Sequence, residues 1–273
     1  MSRLLSASCV GEGVDEVLRS SLAPAGSDGR VVGTFSSGFY VRTHSAIFAV
    51  GGPGIPPGPL HLVLEVAPPP PTEGSRVRLA ADRLYAASCE ITLANAARHR
   101  PARLTPTQLL AIAPVLAALD RMDSVPSDLA HVWADVRVAV GQADLHLARR
   151  LLQGVGGGLT PTGDDALAAM ILFASWVCPN STLPAEVAAQ CATTDLSRSF
   201  LRWAAVGQSI QPVHSLLDAA VQLASSPSSR VCSPVKQDRF LAAAGVVASI
   251  GGSSGKAMLA GLGLAATFWP FGQ

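Results

Sequence analysis

The sequence predicts an α+β protein in which an N-terminal antiparallel β domain, barrel-like or sandwich, packs on a C-terminal α-helical bundle. Three observations carry that prediction. Residues 28–95 are short runs of Val, Phe and Leu broken by Gly and Pro, whereas after Pro101 the chain turns to longer Leu, Ala and Ile runs with few breakers. The chain has 273 residues, enough for one large domain or two small ones with a real core. Hydrophobic residues make up 49% of it and charged ones 14%, against roughly 25% charged in an average globular protein. The expected division is residues 1–100, mainly β with a short N-terminal helix, and residues 101–273, helical with two glycine-rich loops.

Residues 11–22 form the amphipathic pattern of that first helix, with Val14, Val17, Leu18 and Leu22 recurring at helical spacing. Strands are expected at Arg30–Val41, Ser45–Val50, Leu60–Val66 and Arg76–Leu84, separated most heavily by Gly51–Pro59 and Pro68–Gly74. In the last of these Arg76 and Arg78 face opposite Val77 and Leu79, the alternation of a sheet with one wet face. Thr105 is placed as the N-cap of a helix running to Leu119, with Pro106 at its first position. Further helices are expected at 127–139, 141–153, 164–177, 184–192, 195–207, 213–225, 236–250 and 255–268. The short loops between them predict a compact bundle.

Composition also limits function. Twenty Lys plus Arg against nineteen Asp plus Glu leave a formal charge of +1, which argues against nucleic acid as a partner. Lys256 is the only charge in 240–273, but Gly251, Gly252 and Gly255 split that stretch into segments shorter than the roughly 20 residues of a spanning helix. Two buried core helices are expected there, and no membrane span. The start of the chain carries Glu12, Asp15 and Glu16 after a short apolar patch, so no secretory leader is expected. Cys9, Cys89, Cys178, Cys191 and Cys232 are scattered without a C-x-x-C pair or a Cys/His cluster. Neither a metal site nor a disulfide framework follows, and a cytoplasmic location is expected. The partner implied is a small metabolite.

The segment Gln153–Leu167 (QGVGGGLTPTGDDAL) is the most informative. A helix ends at Gly154, glycines follow at Gly156, Gly157 and Gly158, and a second helix starts with Thr162 as N-cap and Asp165 three residues on. Glycines let successive N–H groups turn outward, and a helix N-terminus adds free N–H groups and a positive dipole end. Together they make a cradle for phosphate, carboxylate or a developing oxyanion. Gly251–Gly255 (GGSSG) repeats the arrangement, with Ser253, Ser254 and Lys256 at a helix start. Each loop equally fits a plain packing turn, with Gly154 as a helix C-cap and Asp164 and Asp165 complementing the dipole. The paired acids of Gly163-Asp164-Asp165 favour a ligand that also offers donors, such as an amide or ureido group. Two consecutive Asp on a helix diverge by about 100°, which disfavours a metal.

Other chemistries lack their patterns. Neither loop matches a Walker A sequence, no strand feeds either loop, and no Gly-x-Ser-x-Gly elbow occurs. His44, His61, His99, His131, His146 and His214 form no ligand motif.

GVGGGLTPTGDDAL resembles the glycine-rich G-x-G-x-G-L-T-P-S/T-G-D-D motif of the AllH-like proteins, associated with the oxamate carbamoyltransferase of allantoin catabolism and with FdrA-type operons. GGSSGKAMLAGL resembles that family's second motif, commonly Gly-His-x-Ser-Gly-x-Asp-x-x-x-Gly, with Gly252 and Ala257 standing where His and Asp are usual. The N-terminal order, from Thr34-Phe35 to Gly58-Pro59-Leu60, is also similar, so the resemblance spans roughly 28–265. It implies reversible carbamoyl transfer between oxalurate and phosphate, with companion subunits involved; a homodimer is the alternative assembly expected. It carries over Gly156, Gly158, Thr160, Thr162, Gly163, Asp164 and Asp165 from the first motif, and Ser254 and Gly255 from the second.

The sequence therefore predicts a carbamoyl- or related acyl-transfer enzyme acting on a small anionic or amide-bearing metabolite. Asp164, Asp165 and Ser254 would carry catalysis; Gly156, Gly157, Gly158, Thr160, Thr162, Gly163, Ser253, Gly255 and Lys256 would bind substrate. No resident cofactor and no metal are expected, and phosphate or carbamoyl phosphate is the expected co-substrate. Two alternatives stand beside this reading: a standalone cyclase or lyase of a specialised biosynthetic pathway, and a non-catalytic metabolite-binding subunit.

Overall fold

The computed structural model describes residues 3–20, 27–121, 125–225 and 234–268. The chain divides into two compact units, Met1–Pro101 and Ala102–Gln273. The architecture is α+β, a β-barrel followed by helices.

The barrel uses β1 (Arg3–Gly11), β2 (Ser27–Phe35), β3 (Gly38–Arg42), β4 (Ile47–Gly51), β5 (His61–Leu64), β6 (Arg76–Ala80), β7 (Arg83–Ala86), β8 (Cys89–Thr92) and β9 (Ala97–His99). Their order is β5-β4-β3-β2-β6-β7-β8-β1-β9, and an additional β5–β1 pairing closes the first eight into a ring. Closure removes the exposed edges that an open sheet would leave. Alternation fills the interior: in β6, Val77 and Leu79 are buried, while Arg76 pairs with Asp28 and the Arg78 guanidinium lies 4.1 Å from the Tyr85 ring centre. Phe39, Phe48, Leu62, Leu64, Leu84 and Ile91 are fully buried beside them.

Tight turns at 36–37 and 81–82 split two of the expected strands, Arg30–Val41 into β2 and β3 and Arg76–Leu84 into β6 and β7. Two further features differ from the sequence expectation. The sheet is mixed, because β4–β5, β1–β8 and β1–β9 pair in parallel while the other pairings are antiparallel. The Gly/Pro-rich connection after β4 carries the chain back, so that Ala49 faces His61 with both strands running the same way. The segment before the first helix is itself a strand: β1 pairs with β5, β8 and β9, and closes the barrel. Its RLLSASCVG, with Leu4 and Leu5 adjacent and an irregularity between Ala7 and Cys9, carries too weak an apolar alternation to announce a strand. The helix that follows, α1 (Glu12–Ser20), buries Val14, Val17 and Leu18 as expected; Leu22 lies outside the described residues.

Nine α-helices follow among the described residues: α2 (Pro106–Leu116), α3 (Trp133–Gly141), α4 (Leu145–Leu152), α5 (Thr162–Val177), α6 (Leu183–Ala189), α7 (Asp195–Ala205), α8 (Gln211–Ala224), α9 (Pro234–Ala248) and α10 (Ser254–Phe268). Thr105 caps α2 in a full capping box with Gln108. Removing that box in Thr105→Ala is expected to cost about 1 kcal/mol, measurable by urea unfolding. Pro114 withholds an N–H from the end of α2, and the chain tightens into a 3-10 turn at Ala117–Arg121 instead of continuing as α-helix to Leu119.

The expected helix 127–139 is a 3-10 turn, Ser127–Leu129, followed by α3. The expected helix 141–153 starts only at Leu145, because Ala143 adopts φ 56° and Asp144 caps α4 by accepting from Leu147 N–H at 2.8 Å. At the centre lies α5, buried all round and packed against α2, α4, α6, α7 and α10. α10 is a buried core helix as expected, but α9 is not. It buries only Phe240, Ala244 and Val247 and leaves Val235, Leu241 and Val246 exposed. No helix of the described residues is long and apolar enough to cross a membrane.

Candidate functional site

The first glycine loop connects α4 to α5. Gly154, Gly156 and Gly158 have φ of 71°, 102° and 87°, a region that L side chains rarely adopt. At Gly156 a Cβ would also lie 2.7 Å from Thr162 Oγ1. Gly163 serves a different need: its missing side chain lets α5 begin against the end of α4, where a Cβ would lie 2.0 Å from the Leu152 carbonyl oxygen. Gly163 N–H donates to the Val155 carbonyl at 2.8 Å and closes the loop at its base. Among the described residues no hydrogen bond occupies the N–H groups of Gly156, Gly157 or Gly158, and Gly157 and Gly158 face open space.

The two acids of α5 have different surroundings. Asp164 is 2% exposed and both its oxygens are engaged, Oδ1 accepting from Gly154 N–H at 2.9 Å and Oδ2 from the Thr193 hydroxyl. Asp165 is 7% exposed; among the described residues Oδ2 is buried with no hydrogen-bond partner, and the Ser254 side chain bonds to the carboxyl. Burial pushes the Asp165 carboxyl up to about 7; the Ser254 bond pulls it down, and the Asp164 charge adds to the rise. Asp165 therefore holds or releases a proton near neutral pH.

Ser254 opens α10, so the structure brings together the two glycine loops that the sequence separates. Ser253 occupies the N-cap position, its carbonyl accepting from Ala257 N–H at 2.9 Å. Its hydroxyl lies 2.9 Å from Thr162 Oγ1, which donates to Asp128 Oδ2 at 3.0 Å. Because Thr162 has one hydroxyl proton and gives it to Asp128, Ser253 is the donor to Thr162. Two hydroxyl–carboxyl links thus join the starts of α5 and α10: Ser254 to Asp165, and Ser253 through Thr162 to Asp128. Gly255 lets the first turn of α10 press on α9, where a Cβ would lie 1.8 Å from the Val247 carbonyl oxygen.

Thr162 is not the N-cap that the sequence suggests. It is the first helical residue, Pro161 stands at the cap without a side-chain bond, and Pro161 O accepts from Asp164 N–H at 2.9 Å and Asp165 N–H at 3.3 Å. The threonine hydroxyl is drawn instead to Asp128 and Ser253. Thr160 is half-buried. Lys256 is exposed on the first turn of α10 and forms no ion pair among the described residues.

Residues 152–266 match the family described as oxamate carbamoyltransferase subunit AllH. Over that segment the chain is similar to the AllH family. No curated protein and no solved structure matches the chain. The AllH segment contains both glycine loops, Asp164, Asp165, Ser253 and Ser254, whereas Asp128 lies outside it.

Within the AllH segment, sequence reasoning missed Thr193 and Thr194. Thr194 caps α7 by accepting from Ser197 N–H, a signal that Thr-Thr-Asp before a helix does carry. Their reach back to the glycine loop has no sequence signature. Asp128 sits in a short 3-10 turn and had none either. Among the described residues no three His, Cys, Asp or Glu side chains gather in a way that would hold a metal ion. His214 is buried, with Nε2 accepting from Ser209 N–H at 3.0 Å. Cys191 is a buried thiol pushed up to about 11, by burial first and by Asp164 second, which leaves it protonated and unreactive.

Proposed function

We propose that this protein catalyses carbamoyl transfer to and from a small carboxylate- or amide-bearing metabolite where α5 and α10 begin. The observation that carries the reading is the Asp165 carboxyl, buried with one oxygen unpartnered and linked to Ser254 at the start of the second glycine loop. The AllH match supports the reaction class. The N–H groups of Gly156, Gly157 and Gly158 would bind the anionic end of the substrate or the charge developing on the carbamoyl oxygen. Half-buried Ser254 would face the substrate, with Asp165 behind it as the proton reservoir.

In the synthetic direction the amide nitrogen of the acceptor forms a bond to the carbamoyl carbon of carbamoyl phosphate. The bond from that carbon to the phosphate oxygen breaks, and phosphate leaves with the electron pair. The proton lost from nitrogen passes through the Ser254 hydroxyl to the Asp165 carboxylate. In the reverse direction phosphate attacks, the carbon–nitrogen bond breaks, and Asp165 returns the proton through Ser254 to the departing nitrogen.

The test is turnover by the purified chain of carbamoyl phosphate with oxamate, followed by phosphate release. Ser254→Ala is expected to lower the rate by about a hundredfold or more, with Ser254→Thr retaining part of it. The synthetic rate of the wild type should rise with pH through about 7, where Asp165 becomes a carboxylate. A rate that ignores Ser254 and is flat across that range would overturn the assignment. The family's description as a subunit favours a second reading, in which the chain acts with companion subunits. Phosphate binding without turnover by the chain alone, and turnover once those subunits are added, would establish it.

A further inference from the structure

We infer that Thr193 and Thr194, acting with Asp164, clamp the first glycine loop at two points and set its affinity for anions. The segment between α6 and α7 meets that loop at both ends. At the base, the Thr193 hydroxyl donates to Asp164 Oδ2, while Asp164 Oδ1 holds Gly154 N–H at 2.9 Å. Beyond the three glycines, the Thr194 hydroxyl donates to the Leu159 carbonyl at 2.6 Å. Gln153 strengthens the base, its side-chain oxygen accepting from Ala192 N–H at 3.0 Å and from Arg149 at 2.8 Å. Arg149 also donates to the Gln190 carbonyl at 2.8 Å, and Arg198 to the Thr193 carbonyl at 3.1 Å.

The clamp leaves Gly156, Gly157 and Gly158 between its two points, and these are the residues whose N–H groups no described residue occupies. A run of glycines has the largest backbone entropy to lose when it is fixed for a ligand. Anchoring both ends beforehand removes part of that loss, so anion affinity depends on residues that never touch the anion. Asp164 is thereby a positioning residue, fully engaged by Gly154 and Thr193, and the chemistry falls to Ser254 and Asp165. The anion role rests on the function proposed above; the clamp itself does not.

Thr193→Val removes the hydroxyl at nearly constant shape and leaves the α7 cap at Thr194 in place. Amide hydrogen exchange at Gly154–Leu159 is expected to speed up by about tenfold or more in Thr193→Val, with α5 and α10 unchanged. Thr193→Ser should exchange like wild type. Affinity for inorganic phosphate, by titration calorimetry, should fall by about tenfold in Thr193→Val and be restored in Thr193→Ser. Unchanged loop exchange in Thr193→Val, or equally fast exchange in Thr193→Ser, would overturn the clamp. Loop exchange that responds as expected, in a protein that binds no phosphate, would support the clamp and overturn the anion role.

Discussion

Asp165→Asn is expected to stop carbamoyl transfer and at the same time to stabilise the folded protein above neutral pH. An aspartate in the unfolded chain ionises near 3.9, whereas in the folded chain Asp165 keeps its proton until about 7. The folded state therefore binds the proton more tightly. The stability this contributes is complete at acid pH, declines as pH rises past about 4, and is gone above about 7. Ionising a buried carboxyl against that shift costs at most about 4 kcal/mol. Asparagine cannot ionise and keeps an oxygen for Ser254, but its new amide N–H groups need partners, which returns part of the gain. The expected net result is a stabilisation of about 1–3 kcal/mol at about pH 8 and little or none at about pH 4, measured by urea unfolding at both values. Transfer should fall by at least about a hundredfold. If wild type and variant lose stability in parallel between those pH values, Asp165 is not the group that holds the proton.

Gly261→Ala should have the largest effect on the fold and on the site together. A Cβ at Gly261 would lie 2.2 Å from the Ala166 carbonyl oxygen and 2.9 Å from its carbon, so α10 and α5 touch backbone to backbone. Neither partner is a flexible side chain, and both helices must move to admit a methyl group. The expected cost is about 3 kcal/mol or more. Ala166 follows Asp165 directly, so the same displacement pulls Asp165 from Ser254 and Thr162 from Ser253. Gly245→Ala is the control: Gly245 is exposed within α9, with nothing within 4 Å of the added carbon. It should gain about 0.5–1 kcal/mol from helix propensity and leave transfer untouched. Chemical denaturation of the two variants, with phosphate release assayed alongside, decides both expectations. A Gly261→Ala protein with wild-type stability would mean that the helices are not held by this contact.

The glycine loop was legible in the sequence because its chemistry is local. Gly156 and Gly163 sit in turns and close approaches that no other residue fits, and Asp164 and Asp165 follow in the first turn of the helix they open. The capping of α2 was legible for the same reason, since Thr105, Pro106 and Gln108 act within one turn. Thr162 shows the limit of such reasoning. Its position favours an N-cap, yet Asp128 and Ser253, 34 and 91 residues away in sequence, compete for its hydroxyl and win. Thr193 and Thr194 carry no sequence signal for their role, because their partners Asp164 and Leu159 lie in another connection. The nearly uncharged stretch 240–273, split by Gly251, Gly252 and Gly255, predicts two core helices, yet α9 buries only Phe240, Ala244 and Val247, because composition does not tell which face finds a neighbour.

By itself the sequence determined the change from β to helical structure near Pro101, the two glycine loops, and the motif that the AllH match then covered. These follow from backbone sterics and short-range periodicity, which act over a few residues. Only the tertiary structure decided that the two loops meet, that Asp164 is engaged while Asp165 is left with an unpartnered oxygen, and that β1 closes the barrel. Those depend on which surfaces lose water against one another, and a carboxyl group's proton affinity follows from that burial.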